Sequence, residues 1–289
     1  MTALFTYPDF DPVAISIGPL FGIGPLQVRW YGLAYLGGFL AAWLGMRARA
    51  KTSWSRIQPE QVDDLVFYAA LGAIVGGRVG YMLVYGVSEL IANPLSVLTV
   101  WKGGMSFHGG LAGVLIAMAI YGRYIRQPFF VLTDFIAPWA PVGLLLGRLG
   151  NFVNGELWGK TTSPDAPWAV IVAGQARHAS QLYEAALEGL VLFVVIWLYT
   201  KKPRPTMAAS GLFLIGYGLA RVLIEFVREP DDQLGYLALG WVTMGQVLSL
   251  PMAIVGVALF WLAHRGAGGV TAPTPRPIAP APASAKKAR

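Results

Sequence analysis

The chain has 289 residues, of which 55% are hydrophobic and only 13% charged, and its mean hydropathy is +0.55. An ordinary soluble domain carries about 25% charged residues, so this composition excludes a disordered chain, argues against a soluble enzyme and fits a polytopic membrane protein. The chain has no cysteine, which excludes disulfides and a cysteine nucleophile of its own. Its net charge is +7, and in a membrane protein such an excess of basic residues usually orients the loops rather than binding nucleic acid.

Residues 1–28 lack the basic start of a cleaved signal peptide, and we expect them to lie on the outer surface of a membrane. Seven apolar segments follow, each close to the roughly 20 residues that a membrane helix needs. We therefore predict an all-α integral membrane protein with seven transmembrane helices. The predicted segments are Trp30–Met46, Leu65–Tyr85, Met105–Gly122, Phe129–Gly147, Leu182–Thr200, Met207–Phe226 and Leu239–Ala263.

The basic residues predict the orientation of these helices. Most of them fall after the first, third, fifth and seventh segments, and basic loops stay in the cytoplasm. The N-terminus is therefore predicted outside and the C-terminus in the cytoplasm. We expect residues 1–265 to form the transmembrane catalytic domain, residues 266–289 a disordered Pro/Ala-rich basic tail, and the 149–181 loop a small outer cap.

Ionisable residues inside a bilayer are costly and mark functional sites by default. With the predicted orientation, such residues fall in the outer half of the membrane, which indicates one polar site there. The guanidinium group of arginine can donate two parallel hydrogen bonds to phosphate oxygens. Lipid headgroups supply phosphate at that depth of the membrane. The alternative is simple ion pairing of Arg221 with Glu225 and of Arg148 with Glu156. The residues in the outer half are Tyr31, Arg78, His108, Arg148, Glu156, Arg221 and Glu225.

The densest polar stretch, GRLGNFVNGELWG, runs from Gly147 to Gly159. It places an arginine, two asparagines and a glutamate at a helix-to-loop transition, where glycines permit close approach to a ligand. From these residues alone we expect a headgroup-binding site.

This stretch closely resembles the signature of the bacterial prolipoprotein diacylglyceryl transferases. Further segments resemble the same family in the expected order, although Ala179 stands where the family often has proline. They are RWYGL (29–33), GRVGY (77–81), GMSFHGG (104–110), DFIAP (134–138), RHASQLYE (177–184), YGLAR (217–221) and the stretch from Glu225 to Asp231.

The resemblance implies an enzyme of the bacterial plasma (inner) membrane whose active site faces the outer leaflet and periplasm. It implies transfer of the diacylglyceryl group of phosphatidylglycerol to the lipobox cysteine thiol of a prolipoprotein. The products are a thioether and glycerol 1-phosphate. Phosphatidylglycerol, the prolipoprotein lipobox and membrane lipids are the expected partners, with no cofactor, metal or nucleic acid.

By the same resemblance, Arg148 is the expected phosphate ligand and Arg221 its partner, with His108 as base. Tyr31 and Glu156 complete the expected catalytic set. Asn151, Asn154, Gly159, Tyr217, Glu225, Arg78 and Asp134 are the expected substrate contacts.

Several of these assignments have structural alternatives. Tyr31 and Tyr217 fit an interfacial aromatic belt equally well, and His108 fits a hydrogen-bonded structural histidine at a helix start. Arg78 fits a second lipid position or a structural ion pair, and Asp134 fits support of Arg148 or a helix cap. Two other functions stay open: a lipid transporter or scaffold, and a phosphotransferase acting at phosphorus.

Glu184 and Glu188 lie four residues apart in the fifth segment. This spacing places both on one helix face, and we predict that they pair with the intramembrane arginines.

Overall fold

The computed structural model describes residues 5–8, 10–19, 24–230 and 235–266. This part of the chain is mostly helical, and helix lies within each of the seven predicted segments. The predicted tail, apart from residue 266, and Asp231 of the family-like motif lie outside the described residues. The α-helices are α1 (Trp30–Ala50), α2 (Pro59–Val84), α3 (Val87–Ala92), α4 (Phe107–Tyr124), α5 (Phe129–Ile136), α6 (Ala140–Val153), α7 (Ser180–Glu184), α8 (Leu192–Tyr199), α9 (Ala208–Ile224) and α10 (Met244–His264).

Three helices of the described chain are long and apolar enough to cross a membrane. They are α2, α10 and the continuous helix Ser180–Tyr199, in which the π-helical segment Ala185–Val191 joins α7 to α8. The bent pair α5 and α6 makes a fourth if it forms one span. The chain is thus a mostly helical membrane protein with three to four candidate spans.

Two predicted boundaries are wrong for identifiable reasons. The segment Phe129–Gly147 is not one helix, because it breaks between Ile136 and Ala140 with a bend of 48°. Pro138 lies in this break, and a proline lacks the N–H of a continuous helix. The last helix begins at Met244 rather than Leu239, because Thr243 and Gln246 form a reciprocal cap at its N-terminus.

Glycines bring α2 and α4 into close contact. A Cβ at Gly72 would lie 2.5 Å from the carbonyl oxygen of Gly113, and one at Gly80 would lie 2.7 Å from the Cα of Gly109. Small residues at these positions therefore let the two helix backbones approach closely. Gly147 makes no such approach, because a Cβ there would meet nothing within 4 Å.

The prediction of an all-α protein is wrong in detail, because short strands occur outside the helices. The strand β1 (Phe5–Thr6) pairs in parallel with β4 (Val170–Val172), which pairs antiparallel with β5 (Gln175–Arg177). A separate hairpin joins β2 (Val13–Ile17) to β3 (Leu26–Arg29), directly before α1.

The first of these sheets belongs to a small β lobe, defined here as residues 154–179 with β1. Tyr7 attaches the lobe to the helices, because its hydroxyl donates to the carbonyl of Phe152 over 2.7 Å and its ring packs against Trp158. The lobe therefore adjoins the end of α6, which carries the GRLGNFVNGELWG stretch.

Candidate active site

Glu184 joins arginines from two other helices at the end of the bundle next to the β lobe. Its Oε2 atom lies 2.7 Å from Nε of Arg148 on α6 and 3.1 Å from Nη1 of Arg221 on α9. Its Oε1 atom lies 3.9 Å from Nε of Arg228, just beyond α9. One buried carboxylate thus fixes the spacing of three guanidinium groups.

Glu188 lies beneath the same arginines, one turn further along the chain. It is fully buried, with oxygens 3.7 Å from Arg221 and 4.0 Å from Arg148. Neither oxygen accepts a hydrogen bond from the described residues. Glu188 belongs to the π-helical segment, and such segments are frequent at functional sites. The prediction that Glu184 and Glu188 pair with intramembrane arginines is confirmed for both.

Glu225 closes the cluster on the side of α10. It accepts from Arg221 Nη2 over 2.6 Å, from Arg228 Nη1 over 3.3 Å and from Thr243 Oγ1 over 2.6 Å. The expected Arg221–Glu225 pair therefore forms. Its carboxylate therefore joins the arginines to the start of α10.

The arginines of the cluster are more exposed than its glutamates. The glutamate side chains are at most 2% exposed, whereas those of Arg148, Arg221 and Arg228 are 20%, 11% and 13% exposed. The guanidinium groups thus form the accessible edge of a cluster whose carboxylates are buried. An edge of this kind attracts an anion, and its N–H donors are already oriented.

The last turn of α6 and the loop after it extend this edge with polar side chains. Asn151 accepts a 3.4 Å hydrogen bond from Arg148 and donates a 2.8 Å bond to Glu156. Asn154 also donates to Glu156, over 3.4 Å. The alternative in which Arg148 pairs with Glu156 is therefore wrong. The Arg148 guanidinium pairs with Glu184, and Glu156 accepts hydrogen bonds from the two asparagines.

Tyr31 joins this group from α1. Its ring packs on Gly150, where a Cβ would lie 3.0 Å away, and its hydroxyl is shared with Asn151 and with Tyr35. Tyr217 lies one turn before Arg221 and within electrostatic range of Glu188. The structure thus brings together seven expected residues, namely Tyr31, Arg148, Asn151, Asn154, Glu156, Tyr217 and Arg221, with Glu225 as their support.

Four expected site residues lie elsewhere or have other partners. Arg78 is buried and donates to the carbonyls of Ser96 and Gly103, each over 2.6 Å, so it holds the loop before α4. The expected ion pair of Arg78 does not form within the described part of the chain. Asp134 caps α9, because its carboxylate accepts from the backbone nitrogens of Met207 and Ser210.

Gly159 lies where two backbone segments come into close contact, since a Cβ there would lie 2.6 Å from the carbonyl oxygen of Val227. It therefore lies where the β lobe crosses the chain that follows α9, against backbone rather than facing a ligand. His108 is exposed at the start of α4, and its ring makes no hydrogen bond to any residue that the structure describes. The alternative of a hydrogen-bonded structural histidine is therefore not supported, and no described contact joins His108 to Arg148.

Arg228 is the site residue that the sequence analysis missed. It follows Arg221 by two helical turns with Glu225 between them, and this spacing was the available signal. His178 of the lobe is a further titratable group. Burial, and then the Lys160 ammonium, lower the pKa of His178, which keeps its ring neutral near neutral pH.

Comparison with known proteins identifies the family. The family model described as prolipoprotein diacylglyceryl transferase matches residues 19–262. The chain belongs to this family. It is 53% identical over 271 residues to the phosphatidylglycerol--prolipoprotein diacylglyceryl transferase of Pseudomonas syringae pv. syringae, which covers 91% of this chain and 96% of the relative.

Two further relatives with the same name come from Solidesulfovibrio magneticus, 54% identical over 269 residues, and Oleidesulfovibrio alaskensis, 54% identical over 265 residues. Each alignment covers 91% of this chain, and they cover 97% and 96% of the respective relatives. The protein is therefore a transferase of lipoprotein biosynthesis, and the arginine–glutamate cluster is the candidate active site of this transferase.

Proposed function

We propose that this transferase moves the diacylglyceryl group of phosphatidylglycerol to the cysteine thiol of a prolipoprotein lipobox. The named relatives specify phosphatidylglycerol and prolipoprotein, and this chain aligns with them over nearly its whole length. The accessible guanidinium edge is the single observation that carries the assignment to a site. Arg148 and Arg221 share one buried carboxylate, that of Glu184, so their partly exposed guanidinium groups lie side by side.

The reaction is a displacement at carbon. A free thiol has a pKa of about 8.5, and its thiolate is the nucleophile. The sulfur lone pair forms the new bond to C3 of the glyceryl group, and the C3–oxygen bond breaks. The electron pair leaves on the phosphate oxygen, so the products are a thioether and glycerol 1-phosphate. The thiol proton passes to the base.

Arg148 and Arg221 bind the phosphate and stabilise the charge that develops on the leaving oxygen. A charge-assisted hydrogen bond contributes about 1.5–3 kcal/mol, and two of them contribute most where charge increases. Glu184, Glu188 and Glu225 hold the guanidinium groups in place. Because these donors are fixed before the lipid binds, little reorganisation accompanies the reaction.

The residues at the end of α6 and in the loop after it position the polar head of the lipid. Asn151 and Asn154 both donate to Glu156, which is exposed and can accept from a glycerol hydroxyl. Tyr31 packs beside Asn151 and closes this side of the site. We assign Tyr217 to the same role, because it lies one turn from Arg221 on α9.

His108 is the proposed base. Its ring is exposed at the first turn of α4, and no described residue occupies either ring nitrogen. A neutral imidazole nitrogen can accept the thiol proton, and histidine is the side chain that most often acts as a general base. A positioned base contributes roughly 10²–10⁴-fold to the rate.

The proposal includes the membrane arrangement. Seven spans are assigned to α1, α2, α4, α5 with α6, α7 with α8, α9 and α10, with the N-terminus outside and the C-terminus in the cytoplasm of a bacterial plasma membrane. The cluster then faces the outer leaflet, and the β lobe forms an outer cap. Residues 1–265 are the catalytic domain, and 266–289 are a basic tail outside it. The basic loops after α1, α4 and α8 support this orientation.

Release of glycerol phosphate tests the function against its alternatives. Purified protein in detergent with phosphatidylglycerol is expected to release glycerol phosphate only when a cysteine-containing lipobox peptide is added. A transporter or scaffold would release none with either peptide. A phosphotransferase would add phosphorus to the peptide, whereas the mass of the expected product increases by a diacylglyceryl group alone.

A further inference from the structure

A second basic cluster lies at the end of the bundle remote from the arginine–glutamate cluster. Tyr31 of the active site begins α1, and Arg49 ends it, about 27 Å away at 1.5 Å per residue. There, the end of α1, the residue that caps the start of α6 (Trp139) and the end of α8 surround a crevice of about 280 Å³, close to the size of the smaller ligand pockets. Its walls include Ala48, Arg49, Trp54, Trp139, Trp197 and Lys201.

Arg49 is the central cation of this crevice. It donates one hydrogen bond, from Nη1 to Thr200 Oγ1 over 2.9 Å, and its guanidinium lies 5.2 Å from the ring centre of Trp54. Within the described part of the chain, no carboxylate lies within ion-pairing distance of it. The nearby Asp134 carboxylate instead accepts backbone hydrogen bonds at the N-terminus of α9. Most of the Arg49 donors therefore have no acceptor among the residues that the structure describes.

Further cations surround Arg49. The Lys201 ammonium lies 3.9 Å from the ring centre of Trp197, and Arg204 lines an adjoining crevice. Arg56 lines that crevice too, and its Nη1 atom is buried without a hydrogen-bond partner. Asp134 is the one acidic residue among the described lining residues of both crevices. Arg49 and Arg56 are half-buried, whereas Lys201 and Arg204 are exposed at the rim. Partly buried positive charge without a counterion is costly, and a bound anion would offset that cost.

The position of the crevice indicates which anion is at hand. The candidate span Ser180–Tyr199 ends directly before Thr200 and Lys201, and Trp197 lies in its last turn. Tryptophan at the end of a span marks the membrane interface, where phospholipid phosphates lie. Basic pockets between membrane helices bind anionic headgroups at this depth, and guanidinium matches the oxygens of a phosphate.

We propose that the crevice between α1, α6 and α8 binds the phosphate of an anionic phospholipid. The lipid belongs to the leaflet remote from the active-site cluster, so it is a separate molecule from the substrate. Arg49 and Lys201 would bind the phosphate oxygens, and the tryptophan rings would contact the glycerol backbone and upper acyl chains. Such a lipid would join α1 to α8 as a structural component of the protein.

Native mass spectrometry of the full chain in detergent tests this proposal. The probe is dioleoylphosphatidylglycerol, with dioleoylphosphatidylcholine and inorganic phosphate titrated separately. We expect Arg49→Gln to bind one phosphatidylglycerol fewer than the wild type, with at least about tenfold weaker affinity at that site. Arg47→Gln is the matched control, because Arg47 lies on the same helix end but pairs with exposed Asp63 over 3.0 Å.

A second variant covers misfolding of Arg49→Gln. Ala48 is exposed and lines the crevice, so Ala48→Trp fills the space without changing charge. It is expected to lose the same lipid. The proposal is overturned if both variants bind as many phosphatidylglycerol molecules as the wild type, or if inorganic phosphate or phosphatidylcholine binds equally well at this site. Diacylglyceryl transfer is a separate readout, so failure here leaves the proposed function untouched, and the reverse also holds.

Discussion

At the scale of single residues, Arg148 and Arg221 are held by one carboxylate that solvent does not reach. Glu184 lies 2.7 Å from the first and 3.1 Å from the second and is fully buried. Breaking a buried ion pair by removing one partner is strongly destabilising, because the other charge stays buried without compensation. Catalysis and stability therefore depend on the same contacts, and experiments must separate the two.

Replacing Arg148 by alanine is expected to abolish transfer, with activity at least about 10²-fold lower, since a phosphate ligand and charge-stabilising donor is lost. The measurement is label transfer from phosphatidylglycerol to a lipobox peptide by purified protein. Arg47→Ala is the control, because its ion pair is exposed and remote from the cluster. Full turnover by a folded Arg148→Ala protein would refute the assignment.

Replacing Glu184 by glutamine is expected to lower stability by about 3 kcal/mol or more, because both arginines lose their shared counterion. The readout is the thermal unfolding midpoint in detergent, measured by intrinsic tryptophan fluorescence. Glu229→Gln serves as the control, since its pair with Arg177 is half-exposed and worth at most about 1 kcal/mol. Equal midpoints for the two variants would show that the buried cluster adds nothing to stability.

Replacing His108 by glutamine is expected to slow transfer mainly at low pH, where free thiolate is scarce and a base matters most. As pH rises towards the thiol pKa of about 8.5, the variant should approach the wild-type rate. The pH–rate profile of kcat/KM checks this. A variant profile parallel to that of the wild type at every pH would argue against a base role.

Spacing along the chain predicted some of these contacts and missed others. The Arg221–Glu225 pair follows from one helical turn, and the pattern is visible in the sequence. The alternative that paired Arg148 with the nearby Glu156 is wrong, whereas the prediction that Glu184 pairs with the arginines did not say which arginine it contacts. Sequence distance gives no measure of contacts between helices, so only the packing of α6 against α7 decides this pair.

At the scale of elements, glycines determine how closely α2 and α4 approach. We expect Gly76→Leu to prevent folding or to cost at least about 1–3 kcal/mol, because the side chain would enter the backbone of Gly109 and Gly113. Gly143→Ala is the matched control, since a Cβ there meets nothing within 4 Å. Thermal midpoints in detergent compare the two. Wild-type stability of Gly76→Leu would show that the helices are not in such close contact.

Hydropathy predicted where helices occur but not where they break. Pro138 interrupts the fourth segment, and a cap at Thr243 delays the last helix beyond the start of its apolar run. The π-helical segment Ala185–Val191 has no sequence signal in an apolar window. In this segment Gly189 lies against Leu145 of α6, and Glu188 lies under the arginines.

At the scale of the whole molecule, orientation is the main open assignment. The chain has no cysteine, so each single cysteine substitution introduces the one thiol of the protein that a maleimide can label. In intact bacteria, an impermeant maleimide is expected to label exposed Ser88→Cys and Pro164→Cys but to reach Ser53→Cys and Lys202→Cys only after lysis. The reverse pattern would invert the proposed topology and place the site at the inner leaflet.

The whole-molecule account rests on one reaction at one cluster. Its most direct test is transfer of labelled diacylglyceryl from phosphatidylglycerol to two lipobox peptides by purified protein, one with cysteine and one with serine in its place. The account predicts label on the cysteine peptide alone, joined through a thioether, with one glycerol phosphate released per peptide modified. Label on neither peptide, in protein that unfolds cooperatively on heating, would contradict it.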